Sequence, residues 1–388
     1  MITFAIAALS CLIWLYLIGA RGMFWRMVGA SAPGSGYPSA ARIAIIVPAR
    51  NEADVVAHTI QSLLAQDYPG PLHIVVVDDQ SSDGTAAVVR DVASEHGERV
   101  TVIASAPLPA GWTGKMWALA QGVERASAFA PDYFLFTDAD IAHAPQSISA
   151  VVSLAQAGNH DLVSMMVTLR CESFAERALI PAYVFFFFML YPPAWVNRKM
   201  HKTAAAAGGD ILVRRAALAG IGGVAAIRHE LIDDCALARE IKRTGSIWLG
   251  VTKNARSIRP YVSFGVIGRM ISRNAFYQLN HSAWLLIGTI IGLAVTYAAP
   301  PVLLFFGGWT LLLGASAWLL MMCGFIPIVR FYSLSPLWAF ALPLVAIFYA
   351  GATVHSAIQY WLGRGGEWKN RIQDAPRASE ATHSVSTK

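Results

Sequence analysis

The sequence predicts an α/β protein, a mixed and mostly parallel sheet with helices on both faces, flanked by segments apolar enough for a membrane. Three observations carry that prediction. Short apolar runs alternate with amphipathic stretches between residues 38 and 262. Several of these runs end in carboxylates. Of 388 residues, 55% are hydrophobic and only 14% charged, with a mean hydropathy of +0.48. A soluble globular chain carries about 25% charged residues, so part of this one belongs in lipid.

In chain order, residues 1–20 come first. Residues 2–18 are uncharged and are followed by Arg21 and Arg26. A cleaved signal carries its positive charge before the apolar region, so a retained anchor with a cytoplasmic C-terminal end is expected. The soluble middle, 38–262, then reads as strand 42–47, helix 52–66, strand 72–77, helix 84–94, strand 100–104, helix 115–126, strand 133–137 and helix 145–156. Residues 178–196 are apolar and aromatic, including Phe185-Phe186-Phe187-Phe188. They read as an interfacial helix at an acceptor entrance, or as a buried core helix. Residues 263–282 form an amphipathic interfacial segment.

At ~20 residues per crossing, the uncharged stretch 283–328 fits two helices broken near Pro300-Pro301, and 333–362 fits one. A polar tail, 363–388, follows. Charge and crossing number disagree here: three crossings from a cytoplasmic middle put the tail outside, yet Arg364, Lys369 and Arg371 favour the inside.

Three strand ends are candidates for one site. The first gives Pro48-Ala49-Arg50-Asn51-Glu52, the second Asp78-Asp79 through Thr85, the third Asp138-Ala139-Asp140. Ligands of such sheets bind beyond the carboxyl ends of the strands. Paired carboxylates after an apolar run suit a divalent cation whose other ligands are phosphates. Asp78 or Asp79 can accept from a ribose hydroxyl or a uracil imide, and Pro48 fixes the exit of its strand. Asp83-Gly84-Thr85 is either part of that site or a turn and helix start.

Gly208-Gly209, ahead of an apolar run, permits close backbone approach to a ligand. Asp233-Asp234 stands where a helix cap or a general base can stand. The glycine-rich dinucleotide fingerprint and the P-loop are absent from the sequence. Cys11, Cys171, Cys235 and Cys323 have no paired spacing, so no disulfide framework or zinc motif is indicated. The formal charge of +6 lies largely beside apolar segments, as in Arg198-Lys199 and in Arg256, Arg259, Arg269 and Arg273. That pattern points to an anionic lipid surface and not to nucleic acid.

Taken together, these motifs, with Gly114-Lys115, resemble the family 2 glycosyltransferases of the GT-A fold. The run Leu108 to Ala118 and Gly366-Glu367-Trp368-Lys369 look, more narrowly, like the bacterial hopene-associated glycosyltransferases. The resemblance implies a multi-pass protein of the bacterial inner membrane with a cytoplasmic catalytic domain. It implies a nucleotide-sugar donor, most simply a UDP-sugar, and a lipid acceptor such as a hopanoid. It places Pro48, Arg50, Glu52, Asp78 and Asp79 around the nucleoside, and Lys115, Asp138, Gly208 and Gly209 along the donor. Mg²⁺ or Mn²⁺ would sit at Asp140 with Asp138, and Asp234, or its neighbour Asp233, would be the base of an inverting transfer.

Two departures stand out: the family's Glu-Asp pair is Asp-Asp here, and the processive members' Gln-x-x-Arg-Trp is absent. Two alternatives remain open, a polyprenyl-phosphate sugar synthase and a non-catalytic membrane scaffold or transport protein that keeps a nucleotide-sugar-binding domain.

Overall fold

The computed structural model describes residues 1–29, 40–96, 98–366, 369 and 371. Among these, eight strands form one sheet: β1 (Ile43–Ala49), β2 (Leu72–Asp78), β3 (Val100–Ala104), β4 (Tyr133–Thr137), β5 (Ile141–His143), β6 (Leu162–Thr168), β7 (Asp210–Arg214) and β8 (Ile247–Ser257), in the order β3-β2-β1-β4-β7-β6-β8-β5. Strands β3, β2, β1 and β4 are parallel neighbours, β6 pairs with β8 in parallel, and β5 and β7 run the other way. The predicted mixed, mostly parallel sheet is therefore present. Three of its strands, β5, β6 and β8, lie outside the elements read from the sequence.

The first half of the sheet follows from burial. In β1, six of the seven residues are buried, and all five of β4 are. Unbroken apolar runs of this kind suit strands covered on both faces. Pro48 sits beyond Ile46, the last β1 residue paired with β4, where the ladder on that side has ended.

The covering helices are α2 (Val56–Leu64), α3 (Thr85–Ala93), α4 (Gly114–Ala126) and α5 (Ser147–Ala157). Helix α4 lies so close to the sheet that a Cβ at Gly122 would come within 2.4 Å of Ile46 Cγ2 and 3.0 Å of a Val77 methyl. Gly122→Ala is expected to overpack this contact and destabilise the fold by about 1–3 kcal/mol, read as a lowered Tm of the purified protein. An unchanged Tm would show that the helix can shift at no cost.

Among the described residues, five helices are long and apolar enough to cross a membrane: α1 (Ile2–Gly19), Phe174–Val196, Ala283–Leu303, Trp309–Phe331 and Pro336–Trp361. The second comprises α6 (Phe174–Leu190) and the short α7 (Pro193–Val196). It begins after β6 and ends before β7, adjacent strands of one sheet, so both its ends return to the sheet domain. Slightly more than half of it is buried. Phe185 packs on Phe24 and Phe325, and Phe186 on Tyr297 and Tyr349. The segment therefore packs on the apolar helices around it while close to half of it stays uncovered.

Chain order continues through α8 (Arg215–Gly220), α9 (Asp233–Lys242) and α10 (Phe264–Ala275), then α11 (Ala283–Leu293) and α12 (Ala299–Leu303), which a π-helical turn joins into one apolar rod. Helices α13 (Trp309–Phe331) and α14 (Leu342–Trp361) follow. The rod and α13 form a hairpin whose two ends both reach the sheet domain. At one end Tyr277 Oη donates to Glu230 Oε2 (2.8 Å), and at the other the Lys253 ammonium lies 5.2 Å from the Phe331 ring centre.

Helix α14 instead runs alongside α10 in the same direction: Phe348 meets Phe264, Ser356 Oγ donates to Ser272 O, and Tyr360 meets Phe276. The chain is then back at the sheet by Lys369 and Arg371. The hairpin thus goes out and back, α14 runs along α10, and Lys369 and Arg371 end on the same side as the sheet domain.

Candidate active site

The parallel strands β1, β2 and β4 deliver their C-terminal ends to one edge of the sheet. Strand β7 starts at that edge because it runs antiparallel to β4, with Asp210 opposite Thr137. That register puts Gly208-Gly209 beside Asp138, and Thr137 Oγ1 locks it by donating to Gly209 O (2.9 Å). The two glycines differ in purpose. A Cβ at Gly209 would press on Val167 at 3.0 Å, whereas one at Gly208 would sit 3.4 Å from Asp234 Oδ2 and 3.5 Å from Lys115 Nζ. Gly208 therefore keeps a cleft open.

That cleft is about 390 Å³ and open to solvent. Pro48, Lys115, Asp138, Gly208, Asp233 and Asp234 line it, backed by Phe136, Ile211 and Leu237. Lys115 rises from the first turn of α4 into a ring of carboxylates, 3.0 Å from Asp138 Oδ1 and 3.4 Å from Asp233 Oδ2. Burial alone would lower its pKa, but Asp138 and Asp233 outweigh burial and hold the ammonium firmly charged. Asp234, in the first turn of α9, is pushed up to about 7, first by burial and then by the charge of Asp233, with Lys115 opposing. Its Oδ1 accepts from Cys235 N (2.7 Å). A buried carboxylate near neutrality beside a cleft has the character of a general base.

The remaining predicted residues form a second, adjoining group. Asp138 and Asp140 part company. Asp138 keeps a side chain 38% exposed at the cleft, while Asp140 turns inward, accepting from Arg259 Nε (3.0 Å) and Ser257 Oγ (3.2 Å). The cause is register: β5 starts at Ile141, opposite Ser257 of β8, which brings Arg259 alongside. Arg259 also pairs with Glu52. Burial pushes the pKa values of Asp140 and Glu52 up, opposed in each case by Arg259. Arg259, read from the sequence as facing lipid, is therefore a site residue.

Around Asp79, Arg50 Nη1 donates to its carbonyl (2.6 Å) and Arg371 Nη1 to its Oδ2 (2.6 Å), while Oδ1 is buried with no partner among the described residues. Asp78 accepts from Ser81 N (3.3 Å). Asp83 resolves to the turn and helix start: its carboxylate accepts from Thr85 N and Ala53 N at the head of α3.

Among the described residues, no group of three or more His, Cys, Asp or Glu side chains is arranged to hold a metal by itself. Asp138, partly exposed and with one oxygen on Lys115, fits a cation that takes its other ligands from phosphates. Asp140 fits one only if Arg259 withdraws.

Fold and site together define a GT-A-type domain with a nucleotide-sized cleft at its strand ends. Residues 44–222, a little under half of the chain, match the family model described as glycosyl transferase family 2. The chain is 26% identical over 209 residues to the probable glycosyltransferase YdaM of Bacillus subtilis, covering 52% of this chain and 46% of that protein. It is 34% identical over 99 residues to the 4,4'-diaponeurosporenoate glycosyltransferase of Staphylococcus aureus strain MRSA252, covering 26% and 24%. It thus spans at most about half the length of these relatives. Among solved structures, the mannosyltransferase PcManGT from Pyrobaculum calidifontis, in complex with GDP-Man and Mn²⁺, superposes with a TM-score of 0.55 at 18% identity, over 92% of this chain and 99% of that one. The likeness establishes the fold.

Proposed function

We propose that the chain is an inverting glycosyltransferase moving a sugar from a nucleotide-diphosphate sugar to a lipid acceptor. The observation that carries this reading is the convergence of Asp138, Asp233 and Asp234 on Lys115, in a cleft at the edge where β1, β2 and β4 end. The donor's nucleoside lies toward Arg50, Glu52 and Asp79, and its sugar reaches the cleft. Asp234 takes the proton from the acceptor hydroxyl as that oxygen attacks the anomeric carbon, and the nucleoside diphosphate leaves on the opposite side, inverting the centre. Lys115 stays charged beside the departing negative charge. A Mg²⁺ or Mn²⁺ ion held at Asp138, with Asp140 behind it, would supply charge neutralisation for the diphosphate.

The acceptor side favours a lipid. The loop before Asp233 is tied to the segment entering the apolar hairpin through Glu230 and Tyr277, so the base stands next to the membrane elements. In this reading α1 and the hairpin cross a bacterial inner membrane, α14 lies along α10 in place of the third C-terminal crossing expected from the sequence, α6 lines the acceptor entrance, and the catalytic domain is cytoplasmic. A hopanoid is the acceptor implied by the narrower sequence resemblance. A UDP-sugar leads among donors, and PcManGT's GDP-Man keeps guanosine donors in the test.

Purified protein in detergent, given UDP- and GDP-sugars with Mn²⁺, is expected to release nucleoside diphosphate in a chelator-sensitive way. Asp138→Ala is expected to lower that release by about 10²-fold. Absence of binding and release with every sugar nucleotide would defeat the enzymatic reading and leave the binding or scaffold alternative.

A further inference from the structure

Two cations far along the chain enter the nucleoside group. Lys369 Nζ lies 3.1 Å from Glu52 Oε1 and donates to Asn51 O (2.7 Å). Arg371 Nη1 donates to Asp79 Oδ2 (2.6 Å), and its Nη2 to Gln80 Oε1 (3.1 Å). Arg50 Nε in turn donates to Lys369 O (3.4 Å). All four partners, Asn51, Glu52, Asp79 and Gln80, belong to the turns that leave β1 and β2.

Two further facts show that this is a built arrangement. A Cβ at Gly114 would lie 2.6 Å from Arg371 Nη1 and 3.0 Å from Asp79 Oδ2, so the guanidinium sits in space that glycine leaves at the head of α4. Both carboxylate side chains are less than 10% exposed, and without the two cations Asp79 would retain only Arg50, at 3.9 Å from its Oδ2. A buried carboxylate stripped of its partner is costly and re-aims or protonates. The unpartnered Asp79 Oδ1 is then the acceptor left over for a ligand N–H or O–H.

We propose that Lys369 and Arg371, on the segment after the last helix, are positioning residues of the donor subsite, holding the β1 and β2 turns in the form that receives the nucleoside. The proposal rests on the donor reading above. It makes Lys369 and Arg371 components of the donor subsite, and it gives the course of α14 alongside α10 a purpose.

The test uses UDP and GDP, each with Mn²⁺, as probes. In the unmodified protein, bound nucleotide is expected to slow tryptic cleavage after Lys369 and Arg371 by about fivefold, followed by mass spectrometry, because cleavage requires the segment to lift from its site. In the K369A/R371A double variant, nucleotide Kd by calorimetry is expected to rise about tenfold, equivalent to about 1.4 kcal/mol, in protein that circular dichroism shows to be folded at the temperature of the titration. Restoring charge with R371K in the K369 background is expected to recover most of the affinity. Faster cleavage with nucleotide, or tighter binding by the double variant, would show instead that the tail is a plug displaced by the donor. Unchanged cleavage and unchanged Kd would remove the tail from the site while leaving the donor reading intact. If the unmodified protein binds neither nucleotide, the donor reading falls and this proposal with it.

Discussion

Asp234→Asn is expected to cut transfer turnover by roughly 10²- to 10⁴-fold, the usual range for a positioned general base, while nucleotide binding stays close to that of the unmodified protein. The asparagine keeps the shape at the head of α9 but cannot take a proton. The pH profile identifies the base independently. Burial, then the charge of Asp233, raises Asp234 to about 7, and a base works deprotonated, so the rate should climb through that pH and level off above it. Asp233→Asn removes a like charge and therefore lowers the Asp234 pKa, which moves the acid limb to lower pH without abolishing turnover. Were Asp233 the base, its asparagine variant would be the inactive one. Unchanged turnover in Asp234→Asn would point to an acceptor that is already anionic, such as a polyprenyl phosphate.

How much of this was legible in the sequence follows from how local each signal is. The ends of β1, β2 and β4 were readable because each strand is an apolar run that stops at polar residues, and parallel strands share an edge. Asp138, Lys115, Gly208, Asp233 and Asp234 duly meet in one cleft. Strand β8 was harder to read: Lys253, Asn254 and Arg256 break its pattern, and its pairing with β5 joins residues more than a hundred positions apart. That pairing decides that Arg259 faces Asp140, so the partner of the carboxylate was invisible although the carboxylate itself was not. The same holds for Lys369 and Arg371, some 290 or more residues from Asp79 and Glu52. Positive charge after an apolar helix reads as a topology signal, and only the packing of α14 along α10 turns it toward the sheet.

Lys115→Met is expected to be nearly as damaging as loss of the base, by about 10²- to 10³-fold in kcat/KM, for two separable reasons. Methionine matches the length of the stem but leaves Asp138, Asp233 and Asp234 facing one another without a cation. Mutual repulsion then favours protonation, and since Lys115 lowers the Asp234 pKa together with the Cys235 N–H, its removal must move the acid limb of the rate profile upward. Part of the activity should therefore return as pH is raised, because Asp234 again becomes deprotonated. The remainder should not return, because the leaving diphosphate still lacks the ammonium. Lys115→Arg keeps the charge and is expected to leave the acid limb near its original place even where the bulkier fork slows turnover. An unshifted acid limb in Lys115→Met would mean that Lys115 does not control the base, and its role would shrink to holding the donor at Asp138.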